Sequence, residues 1–260
     1  MPPTPLSSLQ NPRIKLARSL VRRKEREASG CFLIEGSKLL QEALASGLQP
    51  NQVFATAAWW DTHEFPPGET EAFLVPPALL EALATTETPD GVVAIAPLPT
   101  PKRPRLGPSA LVLIAHQLQD PGNLGTLIRA ADAAGADAVV VTPGSTDPWS
   151  PKAVRSSMGS CFHLPILKQS LTEFRRDCPD LRLLALSLQG SSSLYLQNLS
   201  QGTAFLIGNE GSGLDAEAIA LADAAIRIPI PGRAESLNAA MAATVCLYEA
   251  VRQRTTSDTI

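Results

Sequence analysis

The chain has 260 residues, 44% of them hydrophobic and 18% charged, which is ordinary for a soluble globular protein. No apolar run reaches the roughly 18–20 residues that span a bilayer, and the N-terminus lacks the apolar core of a signal peptide. We therefore expect a cytoplasmic protein with no membrane partner. The four cysteines and three histidines are scattered without ligand spacing, so we expect no metal site.

The formal net charge of −3 conceals three segments of different charge. Residues 1–40 contain eight Lys or Arg and three Glu, residues 41–100 contain eight acids and no Lys or Arg, and residues 101–260 balance. Salt screens charges beyond about 8 Å, so local patches matter more than the total. The basic segment predicts a helix over 10–29 that either contacts phosphates or is only a solvated face. The candidate phosphate-binding residues are Arg13, Arg22, Arg23, Lys24 and Arg26.

Two α/β domains are predicted on either side of a proline-rich segment. The first domain, 1–96, has the basic helix, strands at 31–36, 52–56 and 92–96, and helices at 37–47 and 76–84. Residues 97–108 contain five prolines, which exclude a helix or a central strand and predict a stiff linker.

The second domain, 109–260, also alternates strands with helices. Its apolar strands are rich in Val, Ile and Leu, which predicts a parallel sheet covered on both faces. Strands are expected at 111–115, 138–141, 163–166, 183–188, 204–207 and 225–230. Helices are expected at 124–134, 152–158, 215–222 and 236–252.

Three loops leave the carboxyl ends of predicted strands, where ligands bind in open α/β sheets. The first, HQLQDPGNLGTLIR, places Asn123 at a helix N-cap and Arg129 about two turns into the helix. The second, IGNEGSGL, has glycines that allow close backbone approach, and Glu210 there disfavours a phosphate ligand and suits a cationic or hydroxyl-rich one. Its spacing is not that of a dinucleotide site. The third opens a helix at Ser236-Leu237-Asn238. Each motif alone also fits a capped helix or a tight turn.

Taken in order, N-x-G-x-x-x-R, I-G-x-E-G-x-G-L and I-P followed by SLN closely resemble the SpoU family of RNA 2′-O-ribose methyltransferases, within the SPOUT superfamily. PKAVRSSMGSCFHLPI (151–166) is similar to that family, and NPRIK, RKERE and FLIEGSKLLQEAL resemble its N-terminal substrate-binding domain. The resemblance spans nearly the whole chain. The departures are Asn209, where a small residue is common, and Ala239-Ala240-Met241, where others have Val and Ser.

The resemblance implies S-adenosylmethionine as cofactor, RNA as partner, a homodimer, no metal, and a parallel sheet whose C-terminal part forms a trefoil knot. It assigns the cofactor to residues around Leu186, Gly208, Ile228 and Leu237. It assigns catalysis and RNA contact to Asn123, Arg129, Glu210, Ser236 and Asn238. Arg129 is expected to orient the ribose hydroxyl and stabilise the developing alkoxide, because a guanidinium is a very poor base.

Ribosomal RNA is the expected substrate, because the FLIEG-type N-terminal domain resembles members that act on ribosomal RNA. Transfer RNA is the alternative. A non-catalytic RNA-binding protein that keeps the fold is a further alternative, and it predicts loss of Arg129, Glu210 or Asn238, all of which are present. A class I methyltransferase is disfavoured, because no glycine-rich loop follows the first strand of either domain.

Overall fold

A computed structural model describes residues 2–65, 69–100 and 103–257, with side chains up to residue 255. The chain forms two units, Met1–Thr100 with Trp149–Phe162, and Pro101–Pro148 with His163–Ile260. The strands are β1 (Thr4–Pro5), β2 (Cys31–Glu35), β3 (Gln52–Ala55), β4 (Glu71–Leu74), β5 (Val92–Pro97), β6 (Leu111–Ala115), β7 (Ala138–Val141), β8 (Ile166–Lys168), β9 (Arg182–Leu186), β10 (Ser192–Ser193), β11 (Thr203–Ile207) and β12 (Ala224–Arg227). The helices are α1 (Pro12–Ser19), α2 (Arg23–Ser29), α3 (Ser37–Ala45), α4 (Ala57–Trp60), α5 (Pro77–Leu83), α6 (Pro121–Ala133), α7 (Pro151–Ser157), α8 (Leu171–Asp177), α9 (Ala216–Leu221) and α10 (Ala239–Ser257).

The second unit contains one fully parallel sheet in the order β10-β12-β9-β11-β6-β7-β8, which confirms the predicted α/β fold. Every residue of β6 and β11 is buried, as expected of apolar strands that helices cover on both faces. Helix α10 packs against α6 and β11. Because the strands are parallel, the carboxyl ends of β6, β9, β11 and β12 meet at one edge of the sheet, where ligand-binding loops are expected.

The first unit contains a mixed five-stranded sheet in the order β1-β4-β3-β5-β2. Strand β5 runs antiparallel to both neighbours, whereas β1, β4 and β3 are parallel. One face carries α1 and α5, whose buried Ile14, Ala17, Leu79 and Leu83 pack with the apolar residues of the strands. Strand β4, with the pattern EAFL, and the two-residue β1 were missed from the sequence, because neither has a long apolar run.

The predicted single helix over 10–29 is wrong, since the chain forms α1 and α2 with a break at Leu20–Arg22. Arg26 as a whole is 2% exposed, and its guanidinium donates to the carbonyl oxygens of Leu20 at 2.7 Å and Val21 at 2.8 Å. A helix break leaves carbonyls without intrahelical partners, and the buried cation binds two of them. Arg26 is therefore a structural residue and not an exposed phosphate ligand.

Residues 149–162 belong to the first unit, although the sequence placed them inside the second domain. The ring of Phe32 on β2 packs against Trp149, with centroids 5.1 Å apart, and against Phe162 at 6.2 Å. Arg155 on α7 donates to the Thr85 hydroxyl at 2.9 Å and lies 3.7 Å from the Glu35 carboxylate. Tertiary aromatic and ionic contacts, which neighbours in sequence do not reveal, thus join this segment to the N-terminal unit.

The ends of three elements differ from the predictions in ways that concern the ligand loops. Helix α6 begins at Pro121 because the side chain of Asp120, and not that of Asn123, caps it by accepting from the Asn123 amide at 2.8 Å. Helix α10 begins at Ala239 and not at Ser236. Strand β12 ends at Arg227, since the prolines that follow cannot donate to the sheet. Helix α8 was also missed.

We expect Arg26→Ala to lower the free energy of the first unit's unfolding by about 2–3 kcal/mol, because it removes charge-assisted hydrogen bonds and leaves two carbonyls unpaired. Urea titration followed by circular dichroism measures this change. Lys24→Ala, which removes an exposed neighbouring cation, should change it by less than about 0.5 kcal/mol. Equal small effects would contradict the structural assignment of Arg26.

Candidate active site

The first turn of α6, which follows β6, the loops after β11 and β12, and the end of β9 line one cavity of about 640 Å³. It lies at the carboxyl edge of the parallel sheet, where the sequence placed the three motifs. Eight of the nine residues predicted for catalysis and cofactor binding line this cavity. They are Asn123, Leu186, Gly208, Glu210, Ile228, Ser236, Leu237 and Asn238.

A chain of hydrogen bonds joins the three loops. Asn238 Nδ2 donates to Asn123 Oδ1 at 2.9 Å, and Asn123 Nδ2 donates to Glu210 Oε1 at 3.0 Å. The amide of each asparagine is thereby fixed in one orientation, since its nitrogen must donate and its oxygen must accept. Asn238 Oδ1 also accepts from the Ala240 amide at 2.9 Å, which caps α10. Three residues far apart in sequence thus form a single polar unit.

Glu210 is held as a carboxylate by several donors. Its oxygens accept from the backbone amides of Gln119 and Asp120, each at 3.1 Å, in addition to Asn123. Partial burial alone would raise the pKa of Glu210, but the hydrogen bonds together lower this pKa below its ordinary value. The site therefore presents a fixed negative charge at neutral pH, which suits a cationic ligand better than a phosphate.

In the glycine-rich loop after β11, the backbone at Gly208 lies very close to the backbone at Gly213. A Cβ atom on Gly208 would lie 2.5 Å from the carbonyl carbon of Gly213, a distance that no side chain tolerates. Asn209 Oδ1 accepts from the amides of Gly211 at 2.9 Å and Ser212 at 3.0 Å, and its Nδ2 donates to the Gln117 carbonyl at 3.0 Å. Asn209 thus folds this loop and ties it to the loop after β6.

Apolar side chains form the other wall of the cavity. Leu186 and Ile228 are half-buried, and Leu237 is 38% exposed. The glycine-rich loop at residues 208–213 also lines the cavity and brings main-chain polar groups to it. This combination suits a planar base and a methylene chain, which are packed by apolar groups and read by main-chain polar groups.

Arg129 does not line the cavity with the other predicted residues. Six residues separate it from Asn123, which places it about 240° around α6 on a different face. Its side chain is exposed and makes no hydrogen bond or ion pair within the described part of the chain. Ser236 does line the cavity and is likewise exposed without a hydrogen-bond partner among the described residues.

The sequence did not identify several residues that shape the site. Gln117 has a positive φ of 55°, which turns the loop after β6 so that the amides of Gln119 and Asp120 face Glu210. Asn209 was noted only as a departure, although it organises two loops. Glu235 lines the cavity next to Ser236. The sequence signal that could have identified Gln117 and Asn209 is the presence of amide side chains in both HQLQD and GNE.

The basic residues of the first unit differ in their availability. Arg13 pairs with Glu71 and lies over the Phe73 ring, and Arg26 is buried. Arg22 and Arg23 are exposed and lie 3.6 Å from Glu25 and 2.8 Å from Glu27. Lys24 is exposed without a partner in the described chain, and so are Lys15 and Arg18, which were not predicted.

Within residues 2–65, 69–100 and 103–257, no group of three or more His, Cys, Asp or Glu side chains is arranged to hold a metal ion. In the same part of the chain, no helix is both long enough and apolar enough to cross a membrane.

Two family models match the two parts of the chain. Residues 110–248 match the SpoU rRNA Methylase family, and residues 11–94 match the MRM3-like substrate binding domain. The first match contains all the loops of the cavity, and the second contains α1, α2 and the five-stranded sheet except β1 and the end of β5.

Individual proteins show the same similarity. The chain is 34% identical to the 23S rRNA (guanosine(2553)-2'-O)-methyltransferase RlmP of Bacillus subtilis, over 94% of this chain and 97% of that protein. The crystal structure of an rRNA methyltransferase from Sinorhizobium meliloti with AdoMet bound is 32% identical, with a TM-score of 0.84 over 96% and 97% of the two chains. That of the SpoU methyltransferase AviRb from Streptomyces viridochromogenes with AdoMet is 32% identical, with a TM-score of 0.84 over 95% and 99%. The chain therefore belongs to the SpoU family of rRNA methylases.

Proposed function

We propose that this protein transfers the methyl group of S-adenosylmethionine to a ribose 2′-hydroxyl of ribosomal RNA. One observation carries the proposal: the hydrogen-bond chain from Asn238 through Asn123 to Glu210 assembles all three family motifs around one cavity. A protein that kept only the fold would have no need to hold these polar groups in register.

The cavity fits the cofactor in both shape and charge. Leu186, Ile228 and Leu237 would pack against the adenosine, and Gly208, which also lines the cavity, would offer its main-chain groups to the cofactor. The bound cofactor supplies a methyl group on a positively charged sulfur. The ionised Glu210 favours that charge, and opposite charges attract more strongly where water is partly excluded.

The acceptor hydroxyl would lose its proton to water as its oxygen bonds to the methyl carbon and the methyl–sulfur bond breaks, so the negative charge that develops on that oxygen must be stabilised. Asn123, Ser236 and Asn238 would position the target nucleotide at the cavity. Arg129 lies outside the cavity, so its role requires the ribose to approach on the exposed side of α6. A guanidinium there would donate to the hydroxyl oxygen and stabilise its negative charge.

The substrate assignment rests on the N-terminal unit and on the relatives. The unit matches a substrate-binding domain model, and the B. subtilis relative is named for a 23S rRNA nucleotide. Lys15, Arg18 and Lys24 are exposed and unpaired in the described chain, and they would contact phosphates together with Arg22 and Arg23. Methylation of transfer RNA instead of ribosomal RNA would contradict the assignment.

The same proposal includes a homodimer and a trefoil knot in the second unit. Met241 and Tyr248 lie two turns apart on α10 and are 64% and 48% exposed, which supports an apolar surface for a second copy. A Cβ on Gly190 would lie 2.3 Å from the carbonyl carbon of Ile226, so two segments distant in sequence pass in very close contact. That contact is one between neighbouring strands, so the knot is proposed from the match of residues 110–248 to the SpoU rRNA Methylase family.

We expect Arg129→Ala to bind S-adenosylmethionine like the wild type but to transfer methyl groups about 10²- to 10³-fold more slowly, because one stabilising donor is lost. Calorimetry measures the binding, and transfer of a labelled methyl group to ribosomal RNA measures the rate. Arg176→Ala removes an exposed cation from α8 and serves as the control. An unchanged rate in Arg129→Ala would remove that residue from the mechanism.

We expect that titration of Glu210 does not change the affinity for S-adenosylmethionine between about pH 5 and pH 8. Its pKa in the folded protein is depressed, so its charge and hydrogen bonds persist above the usual glutamate range and are lost only as the pH falls through the lowered pKa. Glu210→Gln should bind S-adenosylmethionine more weakly across this range. Glu217→Gln, on the exposed first turn of α9, is the matched control. A titration step near neutral pH that disappears in Glu210→Gln would show that the carboxylate is not held ionised.

The triple variant Arg22→Ala, Arg23→Ala and Lys24→Ala should bind RNA more weakly, and the slope of log affinity against log salt should decrease by about 1–2, because Lys24 is unpaired while Glu25 and Glu27 partly neutralise Arg22 and Arg23. Fluorescence anisotropy with labelled ribosomal RNA fragments at several salt concentrations measures both. Arg13→Ala should change the slope much less, because Glu71 already neutralises that charge. An unaltered slope in the triple variant would mean that the N-terminal cations are only a solvated face.

A further inference from the structure

A second cavity, of about 840 Å³, lies entirely within the first unit. It opens where β1, β3 and β4 end, and we call it the acidic groove. Leu74, Pro76, Pro77 and Ala58 form part of its wall, and Glu81 and Glu87 are its carboxylates. It shares no residue with the active-site cavity.

The carboxylates of the groove are not neutralised by the protein. Glu81 and Glu87 are exposed, and neither makes a hydrogen bond or ion pair in the described part of the chain. Two other acids of the unit, by contrast, do have partners: Glu71 pairs with Arg13, and Glu35 accepts from Thr85 and Thr86. Except for Pro5, Leu6 and Ser7, the lining residues belong to the stretch 41–100, which has eight acids and no Lys or Arg.

An anion such as an RNA phosphate does not suit this groove. Pro76 caps α5 and Pro77 occupies its first turn, so neither provides the amide N–H that an anion needs at the start of a helix. Two carboxylates without counter-charges would repel it as well. Among the described residues of the unit, the exposed cations Lys15, Arg18, Lys24 and Lys38 have no partner; they lie on α1, α2 and α3, and none of them lines the groove. RNA and the ligand of the groove are therefore different partners.

We propose that the acidic groove binds an extended, lysine- and arginine-rich polypeptide segment of a protein that accompanies the RNA substrate. Long basic side chains place their methylene stems on apolar surface while their charged ends stay in water or meet carboxylates. The apolar wall and the two rim carboxylates match both parts of such a side chain. Basic arms of this kind are typical of proteins that bind nucleic acid. The inference rests on the proposed RNA substrate for the nature of the partner, but the charge match is independent of catalysis.

The test uses the full-length protein and a short fluorescent peptide in which lysine alternates with alanine, followed by anisotropy. Glu81→Gln with Glu87→Gln should weaken peptide binding about five- to tenfold, because two exposed ion pairs are lost. Glu64→Gln with Glu69→Gln is the matched control. It makes the same charge change in the same acidic stretch at residues that do not line the groove, and it should weaken binding less than about twofold. Ala58→Trp, which fills the groove without changing charge, should weaken binding as much as the first pair.

If the control pair weakened peptide binding as much as Glu81→Gln with Glu87→Gln, the peptide would be responding to the overall negative charge of the unit and not to the groove. That result would overturn the proposal. Unchanged binding in Glu81→Gln with Glu87→Gln would overturn it too, and that pair removes no packing, so it stays informative if Ala58→Trp fails to fold by circular dichroism. If an RNA oligonucleotide displaced the peptide from the wild type but not from Glu81→Gln with Glu87→Gln, the groove would be assigned to RNA and the proposal would be overturned. A change in the mass of Ala58→Trp in solution would assign it to a second copy of this chain. Methyl transfer to naked RNA should be unaffected in all variants, which separates failure of this proposal from failure of the proposed function.

Discussion

The hydrogen-bond chain from Asn238 through Asn123 to Glu210 is the interaction on which the site depends. These groups come from loops that follow three different strands, and only a parallel sheet brings those loops to one edge. Each asparagine uses both ends of its amide, so neither can rotate without breaking a bond. The carboxylate at the end of the chain is further held by two backbone amides, which explains why its pKa is lowered despite partial burial.

Much of this site could be predicted from the sequence, because motif residues at strand ends need no knowledge of distant contacts. Asn123, Glu210 and Asn238 do line one cavity, whereas their roles stay predictions. The prediction that Asn123 caps α6 was wrong for a local reason. In DPGN both the aspartate and the asparagine favour an N-cap position, and it is Asp120 that occupies it. The role of Arg129 stays a prediction, since helical geometry places it on another face of α6.

The N-terminal unit was harder to predict, because its features depend on tertiary contacts. A row of cations resembles a phosphate-binding face, yet Arg26 is buried against main-chain carbonyls and Arg13 on α1 is paired with Glu71 on β4. Both roles depend on residues that sequence periodicity does not place nearby. The sequence showed the carboxylates of the acidic groove only as part of the negative charge of residues 41–100. The fold places Glu81 and Glu87 beside a cavity with apolar walls.

The membership of residues 149–162 in the first unit has a consequence for how the protein can be divided. Cutting the chain at the proline-rich linker would separate Phe32 from Trp149 and Phe162 and would leave its ring exposed on β2. The Glu35 carboxylate would also lose the nearby charge of Arg155. A fragment that ends at the linker is thus an incomplete folding unit with an open aromatic face, and exposed faces of this kind favour aggregation.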